Sequence, residues 1–376
     1  MNTLFSSSAI NAMTSPNRFV RSATWEGMAA DDGAVTPRLI ETMKALALGG
    51  VGMIISSHAY VSPEGQAGPW QLGIYKDELI EGLDNMTTAV HAAGGKIVAQ
   101  LAHAGQSAAQ QLTGLIPLAV SDVTGLSTDA RKEITKQDVT AIVLAYAQAS
   151  RRAKLAGFDG VQIHAAHGYL LNQFLSPAFN QRRDEYGGGI ENRARILLEV
   201  LQAIRHEVGH DYPVLIKMNS SDFIDNGLTL EDSRQTAVML ADAGIDAIEL
   251  SGGMLASKTL PPSRLGINTE DKEAYFKEEA RAFKEKISVP LILVGGIRSL
   301  NVAERLVSEG VADYISMCRP FIREPALINR WKDGDRRRAT CLSDNQCFTP
   351  GREGKGVYCV VEEREQAKKG RTEDKE

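Results

Sequence analysis

The sequence predicts an α/β chain, a (β/α)8 TIM barrel followed by a C-terminal extension that carries cysteines. Three observations lead there. Short apolar runs that read as strands alternate eight times with helical patterns between residues 19 and 331. Glycine stands just past the end of helical patterns, at Ala156-Gly157, Ala243-Gly244 and Glu309-Gly310. Polar and titratable residues collect where strands end, the face on which barrels carry their chemistry. An open, doubly wound sheet uses the same alternation, but no G-x-G-x-x-G turn follows an early strand.

In chain order, Phe19 to Ser22 reads as the first strand, with a helical pattern from Pro37 to Leu48. Gly52 to Ser56 is the second, followed by helix from Asp77 to Ala93. Lys96 to Leu101 is the third, and beyond a long loop comes helix from Lys136 to Ala156. The fourth, Val161 to His164, is a short apolar run after the turn residues Gly157 to Gly160. A polar segment separates it from helix between Glu191 and Val208. Val214 to Met218 is the fifth, with helix from Leu230 to Ala243; Ala247 to Ser251 is the sixth, with helix from Lys272 to Lys286. Leu291 to Val294 and Asp313 to Met317 close the set, each leading to a helix, Leu300 to Ser308 and a short one from Ala326 to Trp331. Long loops at 58–76, 102–134 and 168–190 mark the working face, and 252–271, with Pro261-Pro262, read as a lid. The barrel is taken as residues 1–331 and the extension as 332–376, its charged end from 362 expected to be solvated or disordered.

A chain of 376 residues can bury a sizeable core. With 43% hydrophobic and 24% charged residues and a net charge of −5, it offers no electrostatic footing for nucleic acid or an anionic membrane. No apolar run approaches the ~18 residues of a membrane span. The opening MNTLFSSSAINAM lacks the charged-then-apolar order of a secretory leader, so the expected location is cytoplasmic. All four cysteines, Cys318, Cys341, Cys347 and Cys359, lie beyond residue 317, so no disulfide framework holds the core.

The richest stretch is the end of the fourth strand, His164-Ala165-Ala166-His167-Gly168-Tyr169. If a helical turn or tight loop follows, the two imidazoles, three apart, share a face. Two neutral imidazoles can both donate to one oxygen, and Tyr169 can supply a proton beside them. The same pair can also be half of a metal site, though no Cys, Glu or Asp completes it at ligand spacing, or simply two structural histidines.

At the seventh and eighth strands the chain runs into Gly295-Gly296 and Cys318-Arg319. Loops there form the usual phosphate site of barrels: glycines let backbone N–H groups approach an anion, and an arginine offers a fork of donors. The alternative is a plain tight turn and a surface arginine. A phosphate here and histidines at strand four imply a long ligand across the mouth, and a nucleotide or flavin has that reach. Gln100, ending the third strand, can donate and accept toward a heterocycle edge. Lys217, a cation in an apolar fifth strand, calls for an anionic partner, either a flavin's N1–C2=O2 edge or a carboxylate inside the barrel.

Together these pieces resemble the Old Yellow Enzyme family of flavin-dependent ene-reductases over roughly residues 5–331. The resemblance rests on Asn17 to Thr24, Gln100 to Gly105, His164 to Leu171, Gln173 to Pro177 and Asn180 to Gly188. Carried over by position, it implies backbone contacts to FMN from Ala23 and Thr24 and a hydrogen bond from Gln100. It places Lys217 near flavin N1, and Gly295, Gly296, Cys318 and Arg319 at the phosphate. His58 falls near the flavin where the family commonly has a small residue, Cys318 where it has Gly, and Trp25 where some members have a Cys or Thr. The implied reaction passes hydride from NADH or NADPH through FMN to the β-carbon of an enone or enal. His164 and His167 hold the carbonyl oxygen, and Tyr169 protonates the α-carbon. The expected partner is that small molecule, with homo-oligomerisation left open. A flavin-free phosphate-binding lyase or isomerase, and a weakly catalytic flavin-binding redox sensor, are the alternatives.

The extension resembles the iron–sulfur segment of longer relatives, as Cys341-x2-Asp344-x2-Cys347-x11-Cys359. Asp344 stands where a second cysteine is wanted, and a [4Fe–4S] cluster takes four thiolates. The segment is therefore read as vestigial, with no metal expected and zinc or a labile cluster as the alternative.

Overall fold

The computed structural model describes residues 4–123 and 130–373, with side chains to 368. Eight parallel strands form a closed barrel: β1 (Phe19–Arg21), β2 (Met53–Tyr60), β3 (Lys96–Ala102), β4 (Gly160–Ala165), β5 (Val214–Asn219), β6 (Ala247–Ser251), β7 (Leu291–Val294) and β8 (Tyr314–Met317). β8 pairs back onto β1, with Ser316 opposite Val20. Helices α1 (Pro37–Leu48), α2 (Ile80–Ala92), α3 (Lys136–Leu155), α4 (Arg195–Val208), α5 (Leu230–Asp242), α6 (Lys277–Lys284), α7 (Leu300–Ser308) and α8 (Leu327–Lys332) follow the strands in turn. Their starts are locally encoded. Thr36 accepts the Leu39 N–H before Pro37, and Thr135 with Asp138 forms a reciprocal cap on α3.

Because strand side chains alternate, each strand feeds two cores. On β5, Val214, Ile216 and Met218 pack outward with the helices, while Leu215 joins Val20, Ile55, Val98, Ile292 and Tyr314 inside the barrel. That inner cluster is completed by Ile10 and Met13, from a two-stranded hairpin (Ser8–Ile10 with Met13–Ser15) before β1. Above it the interior positions turn polar, and there the site begins.

Four differences from the sequence reading have physical causes. β2 continues past Ser56 to Tyr60 because a bulge between Ile55 and His58 lets the polar Ser-Ser-His segment keep pairing with β3. α6 starts at Lys277, not Lys272, since Ala274 is left-handed (φ +51°) and Tyr275 bonds to the Gly295 carbonyl. A short helix, Leu170–Leu175, is buried on every side and so has no polar face to betray it. Within the charged end, expected to be solvated or disordered, Val360–Glu373 is helical, rich in the helix formers Glu, Gln, Arg and Lys; residues 363–368 are exposed, and Glu365 pairs with Arg323 at 2.6 Å.

The extension lies against the barrel's loops. Ala339 N–H bonds to the Arg298 carbonyl (2.8 Å) and Val357 N–H to that of Glu26 (2.7 Å). Among the described residues no helix is long and apolar enough to cross a membrane.

Candidate active site at the mouth of the barrel

β4 presents Gln162 and His164 on the interior side, and the chain then turns sharply. His167 adopts φ +62° and Gly168 φ +81°. Side chains hold the turn: Asn219 Oδ1 accepts the His167 N–H (3.2 Å) and Asn172 Oδ1 that of Gly168 (2.7 Å). Both asparagines are buried and donate to the buried Asp222 Oδ1, at 2.9 and 3.0 Å. A left-handed histidine persists only where its surroundings over-determine it, and this network does so.

The turn brings the three sequence-predicted catalytic side chains together. The His164 ring centroid lies 5.5 Å from that of His167 and 4.7 Å from that of Tyr169. His167 Nε2 is 2.8 Å from the Ser251 hydroxyl. His164 Nδ1 is buried and has no partner among the described residues. The bulge in β2 adds His58, whose Nε2 is 3.2 Å from the Tyr169 hydroxyl.

Burial, then the positive charge of His167, His58 and Lys217, holds His164 well below the usual imidazole range. His167 is lowered in the same way, by burial and then by Lys217 and His58. Burial brings His58 down to about 4 and pushes Tyr169 up to about 12. At neutral pH the site therefore holds three neutral imidazoles and a protonated phenol.

These depressed values carry a stability consequence. The unfolded chain protonates its histidines near pH ~6.5, whereas the native chain keeps these three neutral well below that. Their contribution is complete above that pH and is lost as pH falls toward the folded values, because unfolding takes up protons in that window. The urea midpoint should thus drop between pH 7 and pH 5, and His164→Asn with His167→Asn should flatten the dependence. An unchanged slope in the double variant would show that other groups set it.

A polar layer lies behind the histidines. Glu249, wholly buried, faces Lys217 in register across β5 and β6. Its Oε1 accepts from Ser22 (2.7 Å), Ser316 (2.8 Å) and Lys217 Nζ (3.3 Å), and its Oε2 from Gln162 Nε2 (2.9 Å). Gln100 Nε2 in turn donates to Gln162 Oε1 at 2.7 Å. Burial alone would raise the Glu249 carboxyl; Lys217 and the donors from Ser22, Gln162 and Ser316 outweigh it and hold the group below its ordinary range. The anion opposite Lys217 is thus a carboxylate of the chain itself.

A cavity of about 220 Å3 opens over this layer. Its wall runs round the mouth from His167, Lys217 and Ser251 to Gly296, Cys318 and Arg319, with Ser22, Ala23, Thr24 and Trp25 closing the circuit. Gln100, His58 and Gly295 do not line it: Gln100 sits in the polar layer, and Gly295 precedes the turn. Gly296 needs its hydrogen, since its φ is +73° and a Cβ would fall 2.7 Å from the Tyr275 ring. Cys318 Sγ is 3.0 Å from Thr24 Oγ1. Arg319 Nη1 donates to the Arg264 carbonyl (2.9 Å) and to Asn345 Oδ1 (2.8 Å).

Sequence reasoning missed Ser22, Gln162, Glu249, Ser251, the Asn172–Asn219–Asp222 group and Asn345. For Gln162 and Glu249 there was a signal: each is a polar residue at an interior-facing position of an apolar run, as Lys217 is.

The sequence pattern of the NADH:flavin oxidoreductase / NADH oxidase family matches residues 3–337. The chain belongs to that family. Its cofactor is FMN. Within it, the chain is 37% identical over 349 residues to the NADH oxidase of Thermoanaerobacter brockii, covering 91% of this chain and 52% of that protein. It is 35% identical over 365 residues to the metal reductase of Desulforamulus reducens, covering 96% and 53%. The chain spans about half the length of these curated relatives. Among solved structures it superposes on a 2-naphthoyl-CoA reductase with a TM-score of 0.88 at 28% identity, over 96% of this chain and 56% of that one. An old yellow enzyme homologue from Zymomonas mobilis gives 0.75 at 28%, over 91% and 96%.

The residues at the mouth fit the family's flavin. The cavity is ringed by hydroxyls, a lysine and two arginines, its glycine turn leaves backbone exposed, and the neighbouring His164 Nδ1 is a buried atom wanting a partner. Among the described residues no three His, Cys, Asp or Glu side chains converge to hold a metal. Cys341 Sγ takes the Ser343 N–H (3.4 Å), and Asp344 Oδ1 takes that of Gln346 (3.2 Å).

Proposed function

We propose that the chain reduces the activated C=C bond of α,β-unsaturated carbonyl compounds at the expense of NADH or NADPH. One observation carries this reading: two neutral imidazoles and a protonated phenol converge beside a cavity at the barrel mouth whose far end is cationic. When bound, FMN supplies the hydride exchange between the nicotinamide and the substrate's β-carbon.

The chain's own side chains do the rest. Ala23, Thr24, Lys217, Gly296, Cys318 and Arg319 would hold the cofactor, with Gln100 reaching it from the polar layer. His164 and His167 each have one N–H to give. They donate to the substrate's carbonyl oxygen and stabilise the negative charge that develops there. The Ser251 hydroxyl at His167 Nε2 sets which nitrogen carries the proton. Tyr169, protonated up to about pH 12, delivers its proton to the α-carbon, with His58 aiming the phenol.

The purified chain should release FMN on denaturation and, with NADH or NADPH, convert 2-cyclohexen-1-one to cyclohexanone. Release of FAD or of no flavin would overturn the cofactor assignment. FMN with no cyclohexanone would overturn the substrate class.

A further inference from the structure

We infer that Asn345, in the C-terminal extension, is a positioning residue for Arg319, so that the extension forms the phosphate-end wall of the FMN cavity. The inference rests on the cofactor reading above and goes beyond it. Ser343 and Phe348 line the cavity together with Arg319. Between them Asn345 makes three bonds with one amide. Its Oδ1 accepts from Arg319 Nη1 (2.8 Å) and from the Ser263 hydroxyl (2.9 Å), and its Nδ2 donates to the Ser263 carbonyl (3.0 Å). The loop after β6 and the arginine after β8 are thereby tied to each other through a residue of the extension.

The backbone is built for this. Ser343 and Asn345 are left-handed, at φ +56° and +58°, a conformation that asparagine tolerates better than most residues. Ser343 is buried, and its carbonyl accepts the Gly266 N–H at 3.1 Å. The electrostatics fit as well. Both acceptors seen at Arg319, the Arg264 carbonyl and the Asn345 amide, are neutral. Among the described residues no carboxylate pairs with Arg319, so its guanidinium is oriented without having its charge cancelled, as an anion site requires. A segment that resembles a cluster-binding one, but lacks a convergent ligand set, has here a different structural task.

The test is flavin binding by the full chain stripped of its cofactor, followed by quenching of flavin fluorescence with FMN and, separately, with riboflavin, which lacks the phosphate. Asn345→Gly removes the amide without straining a left-handed position. It should weaken FMN about tenfold, the worth of one hydrogen bond to a charged group, and leave riboflavin unchanged. Arg319→Ala should lose at least as much FMN affinity, and adding Asn345→Gly to it should cost nothing more. Equal weakening of FMN and riboflavin, no effect on either, or additive losses in the double variant would each overturn the inference. Wild-type chain that binds riboflavin and FMN equally would overturn the phosphate assignment of Arg319 on which it stands.

Discussion

Tyr169→Phe should lower enone turnover by ~10²–10⁴-fold, the usual worth of a positioned general acid. Nicotinamide oxidation with molecular oxygen as acceptor should be spared, because oxygen needs no proton at carbon. The contrast follows from position: the phenol hydroxyl meets only His58 among the described residues and lies outside the wall of the cofactor cavity. Phenylalanine keeps the ring against His164, so the fold loses one hydrogen bond, ~1 kcal/mol. Steady-state rates with 2-cyclohexen-1-one and with oxygen, measured on the same preparation, decide the matter. Equal losses with both acceptors would mean that Tyr169 shapes the cavity. No loss with the enone would assign the proton to another donor.

The second large effect is on stability. Glu249→Gln should destabilise the flavin-free chain by ~3–5 kcal/mol, because removing one partner of a buried pair leaves the other charge uncompensated. Lys217 is almost wholly buried, and among the described residues Glu249 is its one carboxylate partner. Replacing both, as Lys217→Met with Glu249→Leu, should recover most of the loss, since the desolvation cost disappears with the charges. Urea midpoints at pH 7 for the two variants test this, read at constant slope. The acid side gives an independent check. Because the carboxyl is held below its ordinary range, its contribution is full above pH ~4.3 and lost as pH falls through the folded value. A Glu249→Gln variant as stable as the parent would show that the layer is solvated and Lys217 needs no counter-charge.

Much of the site was legible because its signals are local. His164, His167 and Tyr169 lie within six positions, at the end of an apolar run, and any tight turn would have brought them together. Of the residues expected at a phosphate, the structure brings Gly296, Cys318 and Arg319 to one cavity wall and leaves Gly295 off it. The contact of His58 with Tyr169 was not legible, because it depends on a bulge in β2, and bulges leave no mark in the hydrophobic pattern. The Asn172–Asn219–Asp222 support was hidden for another reason: the three stand in a short helix, at the end of β5 and in the loop after it, and only packing shows them buried and bonded to one another.

The sequence alone determined the barrel, since a period of two or of 3.6 is a property of a few consecutive residues and survives wherever the segment is placed. It placed α1, β6, β7 and α7 to the residue, and it pointed to the strand ends where the histidines and the cavity lie. Tertiary structure decided the partners. Lys217 meets Ser22 across 195 positions, Ser22 meets Glu249 across 227, and Arg319 meets Asn345 only because the extension folds back over the mouth. Such bonds exist only once the barrel has closed, because a side chain's partner is fixed by strand register and loop path, neither of which periodicity contains.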